Sequence, residues 1–195
     1  MTGSDERDLS GILTRMSRRE RVLRDQSDSL RKAFASKERL PLAVIDMESN
    51  GLAHSTYPIE IGYARGSGIE PNVTGSMLIR PRDSWDRRAA GNASGINGID
   101  PDDLDDALEA DRVCDMLDDL LMDMDVVCDG GAHDRYWLNR LYDGRTPAFT
   151  IHDVEEATAP ALKKMREEAD LAHRAGPDSI WLYRAIRIAR GKKEA

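Results

Sequence analysis

Two acids two residues apart, Asp46 and Glu48, close the apolar run Leu42 to Ile45. Side chains alternate faces along a strand, so positions i and i+2 project together. Two carboxylates leaving one strand end on the same side repel unless a cation sits between them, and hard oxygen ligands of this kind suit Mg²⁺ or Mn²⁺. The next residues, Ser49-Asn50-Gly51, have turn chemistry that holds the strand end open at a surface. Two more acids stand at element junctions: Asp134, just past Gly130-Gly131, and Asp178, just past Gly176-Pro177. His173 precedes Asp178 with four residues between them. The Gly-Pro break puts His173 in a loop and Asp178 in the first turn of a helix, so both can face one cleft. A plainer reading, in which Asp46 and Glu48 only solvate a strand end, fits their stretch equally well.

The elements that would position these residues follow from the apolar pattern. After the opening strand, Ile59 to Ala64 and Gly75 to Arg80 read as second and third strands, with a Gly- and Pro-containing segment, Gly66 to Pro71, between them. Short connections predict an antiparallel meander. Pro81 to Gly98 reads as a loop containing Trp85, and Asp100-Pro101-Asp102 as an N-cap with proline in the first helical turn. Leu104, Ala107, Leu108, Val113, Leu117 and Leu120 carry that acidic helix to about Met122. Asp125 to Cys128 predicts a fourth strand, followed by a helix with Tyr136, Trp137, Leu138 and Leu141. Ala148 to Ile151 predicts a fifth strand, Asp153 to Ala172 a mainly helical stretch, and Gly176-Pro177 the start of a last helix. A meander followed by strand-helix alternation is an α/β arrangement with a mixed five-stranded sheet.

Upstream lies a separate element. Residues 1 to 8 are polar and expected to be disordered, but Leu9, Met16, Leu23 and Leu30 recur every seven residues, with Ile12, Leu13 and Phe34 beside the same stripe. That is a helix with a narrow apolar seam, interrupted by Glu20 and Ser27. It fits packing on the domain or on a second subunit, so a homodimer is an expected arrangement. The domain boundaries read as 1–40 for the N-terminal helical extension and 41–195 for the main domain.

The 195 residues, 40% hydrophobic, suffice for one domain with a real core plus an appended element. A formal net charge of -8 argues against nonspecific coating of nucleic acid. The acidity concentrates between Asp100 and Asp125, whereas Arg15 to Lys37 and Lys163 to Lys193 are rich in Arg and Lys. The two cysteines, Cys114 and Cys128, form neither a metal motif nor a disulfide framework, which points to a reducing cytoplasm. With no apolar run of membrane-spanning length and no basic and apolar leader, no membrane partner and no export are expected.

The order of these residues resembles the DEDDh family of 3'-to-5' exonucleases, which includes bacterial polymerase proofreading subunits, RNase T and oligoribonuclease. VIDMESNGL resembles the family's first motif and PIEIG the second-strand signature after it. VVCDGGAHDRYWL is similar to the second motif, with Asp134 at its acid, and HRAGPDSIWL to the third, with His173 and Asp178. A looser likeness joins Trp85 through Ile99 and DPDDLDDA to the family's Trp-to-His-Gly-Ile segment. The match runs from Leu42 to Ile188. Asp129-Gly130 stands where the family often has His-Asn, His133 where Phe is usual and Asn97 where His is common. None of these departures removes a metal ligand.

The resemblance implies a ribonuclease-H-like fold, two divalent ions, Mg²⁺ or Mn²⁺, and hydrolysis from the 3' end of single-stranded RNA or DNA to nucleoside 5'-monophosphates. It places Asp46 between both ions, with Glu48, Asp134 and Asp178 completing the cage. His173 becomes the general base, since an imidazole near its ordinary pKa of about 6.5 accepts a proton at neutral pH. Ser49 and Leu52 fall where the family contacts the terminal nucleotide. Two other classes stay open: a nucleic-acid-binding module with this fold but no turnover, and a subunit of a larger assembly. His54 and His152 read as ordinary histidines, Trp137 and Trp181 as core, and the acidic helix as a solvated face.

Overall fold

A computed structural model describes residues 40–51, 53, 55–87, 94–154, 159–169 and 171–191. The seam helix expected before Leu40, together with Leu52 and His54, lies outside the described residues. Six strands form one mixed sheet in the order β4-β3-β2-β1-β5-β6. They are β1 (Leu42–Ser49), β2 (Pro58–Gly66), β3 (Val73–Arg80), β4 (Leu108–Glu109), β5 (Asp125–Cys128) and β6 (Ile151–Asp153). The meander is present, since β1 pairs antiparallel with β2 and β2 with β3, whereas β5 runs parallel to β1 and β6 parallel to β5. The helices among the described residues are α1 (Ser94–Asn97), α2 (Ala110–Leu121), α3 (Ala132–Tyr142), α4 (Ala159–Glu167) and α5 (Ala175–Gly191). None is long and apolar enough to cross a membrane.

β1 sits at the centre because both of its faces are apolar. Ala43, Ile45 and Met47 point into the larger core, built with Val113, Leu117 and Leu121 of α2 and Trp137, Leu138 and Leu141 of α3. On α2 the buried positions Ala110, Val113, Cys114, Leu117 and Leu121 fall three or four residues apart, which makes one helical stripe. Leu42 and Val44 point the other way, against Leu182, Tyr183 and Ile186 of α5 and Leu162 of α4. Each fully buried side chain of this size contributes about 1.5–3 kcal/mol. The strand is therefore fixed from two sides at its start, and its last residues carry acids on the face that begins with Leu42.

Two expectations shift. The sheet has six strands instead of five, because the segment expected to be helical from Asp102 re-extends at Leu108–Glu109 and pairs with Ile79–Arg80. Asp100 does cap a turn, accepting a hydrogen bond from the Asp102 amide, but that turn is a single 3₁₀ turn, Pro101–Leu104. Arg80 then draws the chain back to the sheet, donating to the Ala107 carbonyl at 3.2 Å and pairing with Glu109 at 3.4 Å. The last strand is Ile151–Asp153, not Ala148 to Ile151: the Ala148 amide is held by Asp118 at 2.7 Å and Phe149 is buried edge-on to Tyr142.

The acidic helix is less solvated than its composition suggests. Arg145 reaches Asp115 at 2.5 Å and Asp111 at 3.4 Å, Arg82 reaches Asp111 at 2.8 Å, and Tyr142 donates to Asp118. Cys114 and Cys128 are free and buried, and burial pushes each thiol up to about 12.

Candidate active site

The carboxyl end of β1 is where the acids converge. Asp46, Glu48 and Asp178 each bring a carboxylate oxygen within 4.8 Å of the others, and so do Asp46, Asp129 and Asp134. Asp46 belongs to both trios. Around one octahedral cation with oxygens at about 2.1 Å, opposite ligands stand about 4.2 Å apart and neighbouring ones about 3 Å. Each trio is thus scaled to hold one small hard cation.

Sheet geometry produces the first trio. Asp46 and Glu48 continue the face of Leu42 and Val44, and α5 crosses that face. The body of α5 packs on the apolar half of the strand, while its first turn delivers Asp178 to the acidic half. Asp178 is itself held: its amide donates to the Arg174 carbonyl at 3.0 Å, and its carboxylate accepts from the Ala172 amide at 3.2 Å. Asn97 is buried and hydrogen-bonds Glu48, with its own carbonyl oxygen occupied by the Ile99 amide at 3.1 Å. That leaves the Asn97 amide nitrogen to donate to Glu48.

The parallel pairing of β1 with β5 produces the second trio. Val44 lies opposite Val127, so two residues further on Asp46 comes beside Asp129. Asp134 enters from the first turn of α3, accepting from the Gly130 amide at 2.9 Å and from the Cys128 thiol. Gly130 is glycine for a steric reason, since a Cβ there would collide with the Asp134 carboxylate. Asp129 also pairs with Arg166 of α4.

The electrostatics record the crowding. Burial first, and the charges of Asp134, Asp129 and Glu48 after it, raise Asp46 well above the ordinary carboxylate value. Burial lifts Glu48 to about 7 against the Asn97 hydrogen bond, and Asp134 to about 6. Asp129 is raised as well, again chiefly by burial. Four desolvated carboxylates with raised pKa values in one cluster are a site that favours added positive charge.

The seven sequence-derived candidates fall out as follows. Asp46, Glu48, Asp134 and Asp178 meet at one place. His173 is exposed on the loop entering α5, in a left-handed backbone conformation with φ 51°, and belongs to neither trio. Ser49 lies at the end of β1, where its hydroxyl donates to the Gly51 carbonyl at 2.7 Å. Leu52 is outside the described residues. Trp137 is core, Trp181 packs partly buried on the second core, and His152 is exposed. Asp129 is the ligand candidate that the motifs alone did not supply. Its signal was available in the β1/β5 register, which needs the strand order.

No protein-family model matches the sequence, and no curated protein matches it. Solved structures do. A full-length 3'-exonuclease superposes with a TM-score of 0.62 at 16% identity, covering 80% of this chain and 84% of that one. A 3'-exonuclease solved for its 3'-end-specific recognition of a histone mRNA stem-loop gives 0.60 at 15% identity, over 79% of this chain and 65% of that chain. E. coli exonuclease I with a dA16 oligonucleotide gives 0.58 at 11% identity, over 79% and 42%. The chain thus spans less than two thirds of the length of the last two. These likenesses establish the fold: a mixed sheet flanked by helices, arranged as in those exonuclease structures.

Proposed function

We propose that the chain is a metal-dependent 3'-to-5' exonuclease that removes nucleoside 5'-monophosphates from the 3' end of single-stranded RNA or DNA. The observation that carries this reading is the pair of carboxylate trios sharing Asp46. An acidic cluster with raised pKa values, fixed on rigid strands and helix starts, fits divalent ions as its occupants. Asp46, Glu48 and Asp178 would hold one ion, and Asp46, Asp134 and Asp129 the other, with Mg²⁺ or Mn²⁺ suited to the all-oxygen donors. When bound, such a pair supplies charge stabilisation to the attacking and leaving oxygens and activates water.

The remaining work falls to the chain. His173, exposed at the mouth of the α5 loop, takes the proton from the attacking water as general base and passes it to solvent. Its exposure suits that exchange. Ser49 and Leu52 contact the terminal nucleotide, and Asn97 holds Glu48 in place. Two buried free thiols fit a reducing, cytoplasmic setting.

The test is direct. The purified protein is incubated with 5'-labelled RNA and DNA oligonucleotides in Mg²⁺, in Mn²⁺ and in chelator. A ladder shortening from the 3' end, present only with metal, and a resistant circular substrate are the expected results. Cleavage of the circle would instead mean an endonuclease. Undiminished hydrolysis after rigorous metal removal would sink the reading.

A further inference from the structure

The residue opposite Glu48 across the β1/β2 ladder is Glu60, and the residue opposite Asp46 is Gly62. Directly paired residues on antiparallel strands project to the same face, with Cβ atoms about 4.5–5.5 Å apart, and like charges there repel. Glu60 is nonetheless 1% exposed, covered by the segment that leads into α5. Its charge is answered by Arg174, which donates from Nε at 2.9 Å and from Nη2 at 3.0 Å. The Ala175 amide at 3.1 Å and the Ser76 hydroxyl complete the shell, and together these bonds hold the Glu60 carboxyl below its ordinary value against burial. Gly62 makes the arrangement possible, because a Cβ there would overlap the Ala175 carbonyl. The first turn of α5 therefore lies directly on β2, and Arg174, just before it, is forked onto Glu60, the cross-strand neighbour of Glu48.

Arg174 is also the cation whose charge reaches Glu48. A guanidinium seated on Glu48 would occupy the carboxylate that a divalent ion needs. We propose that Glu60 is a positioning residue for the metal site: by engaging Arg174 in a two-bond fork, it keeps that cation off Glu48 and leaves Glu48 to the divalent ion. The inference rests on the metal-site reading above and deepens it. It gives the PIEIG stretch a task in the chemistry, distinct from that of a strand that only fills the sheet.

The experiment measures Mn²⁺ binding to the full chain by titration calorimetry, without substrate, with circular dichroism to check folding. Glu60→Gln keeps the acceptor for the Ala175 amide but gives up the charge that holds Arg174. Its Mn²⁺ affinity is expected to fall about tenfold, since an opposite charge a few ångströms from a carboxylate shifts its ionic equilibria by at least that much. The double variant Glu60→Gln/Arg174→Gln removes the competitor too, and should return to within about twofold of wild type. Wild-type affinity in Glu60→Gln overturns the proposal. So does a double variant as weak as the single one, because Glu60 would then act through the backbone of the loop. Should Glu60→Gln not fold, Arg174→Lys tests the same point with Glu60 intact. A point charge without the fork would be shared with Glu48 and weaken Mn²⁺ binding, and unchanged affinity would overturn the idea. A wild-type protein that binds no Mn²⁺ defeats the metal-site reading itself, an outcome separate from all of these.

Discussion

The two trios that share Asp46 are built by different means. The Asp46–Glu48–Asp178 group depends on a helix crossing a strand face, so its third member arrives from a distant segment held by Ala172, Arg174 and Glu60. The Asp46–Asp129–Asp134 group is made by adjacent parallel strands and the turn that follows one of them, with Asp134 tied to the Gly130 amide four residues earlier. One site is assembled by tertiary packing, the other by local structure. The first site is the one a substitution in β2 or the start of α5 can open, whereas the second should tolerate such changes and respond to the β1/β5 pairing, to Arg166 and to its own turn.

The largest disruption is at the residue the trios share. Asp46→Asn removes ligand charge from both with almost no change in volume, and the cleavage rate should fall by at least about a thousandfold, the upper range for loss of one electrostatic stabiliser. The fold should survive, as judged by circular dichroism. Near wild-type turnover would move the active site elsewhere.

His173→Ala comes next and separates base from ligands. Positioned bases contribute about a hundredfold to ten-thousandfold, so single-turnover rates should fall within that range while Mn²⁺ binding stays intact. The rate should then follow hydroxide or external buffer. An unchanged rate and pH profile would point to His133, beside Asp134, as the base.

Asp129→Asn tests whether the local trio uses three acids or two. Of the two Mn²⁺ binding events expected in calorimetry, one should weaken by about tenfold and the other should hold. If both weaken equally, the trios are one site and the comparison fails.

Proton linkage gives a smaller, global effect. Asp46, Glu48 and Asp134 have folded-state pKa values raised above their ordinary ones, to about 7 for Glu48 and about 6 for Asp134. Between about pH 4 and 7 the metal-free folded chain therefore holds more protons than the unfolded chain, and stability falls as pH rises through that window. Millimolar Mg²⁺ should offset the loss at pH 7, raising the melting temperature by about 5 °C. Calorimetric melts at pH 5 and pH 7 with and without metal would show it, and equal melting temperatures in all four would refute it. Asn97→Ala should have the smallest effect, about a threefold loss of rate in the same cleavage assay, from the missing hydrogen bond to Glu48.

How legible the site was follows the same division. Asp46 and Glu48 could be read from two-residue spacing after an apolar run, and Asp134 and Asp178 from breaks that open helices, because local periodicity and turn chemistry decide those placements. Asp129 could not be ranked above a neighbouring loop acid until β5 was known to run beside β1. Glu60 looked like an ordinary strand residue, since its meaning depends on Arg174, which is 114 positions away. The extra strand β4 is not legible in the sequence because two residues carry no period, and the helical pattern around Leu104 and Leu108 hides the Arg80 contacts that pull the segment to the sheet. The seam of Leu9, Met16, Leu23 and Leu30 falls outside the described residues.

The burial of both thiols has a practical side. A cysteine reacts as its thiolate, and with pKa values of about 12 under a closed core neither Cys114 nor Cys128 offers one to a maleimide at neutral pH. A single new cysteine on an exposed position such as Lys163 of α4 can therefore carry a fluorophore without removal of the native pair. The chain is in effect already a cysteine-light scaffold. A donor there and an acceptor on the 5' end of an oligonucleotide would report, molecule by molecule, whether the chain, if it degrades nucleic acid as proposed, stays on its strand between cleavages or lets go after each one.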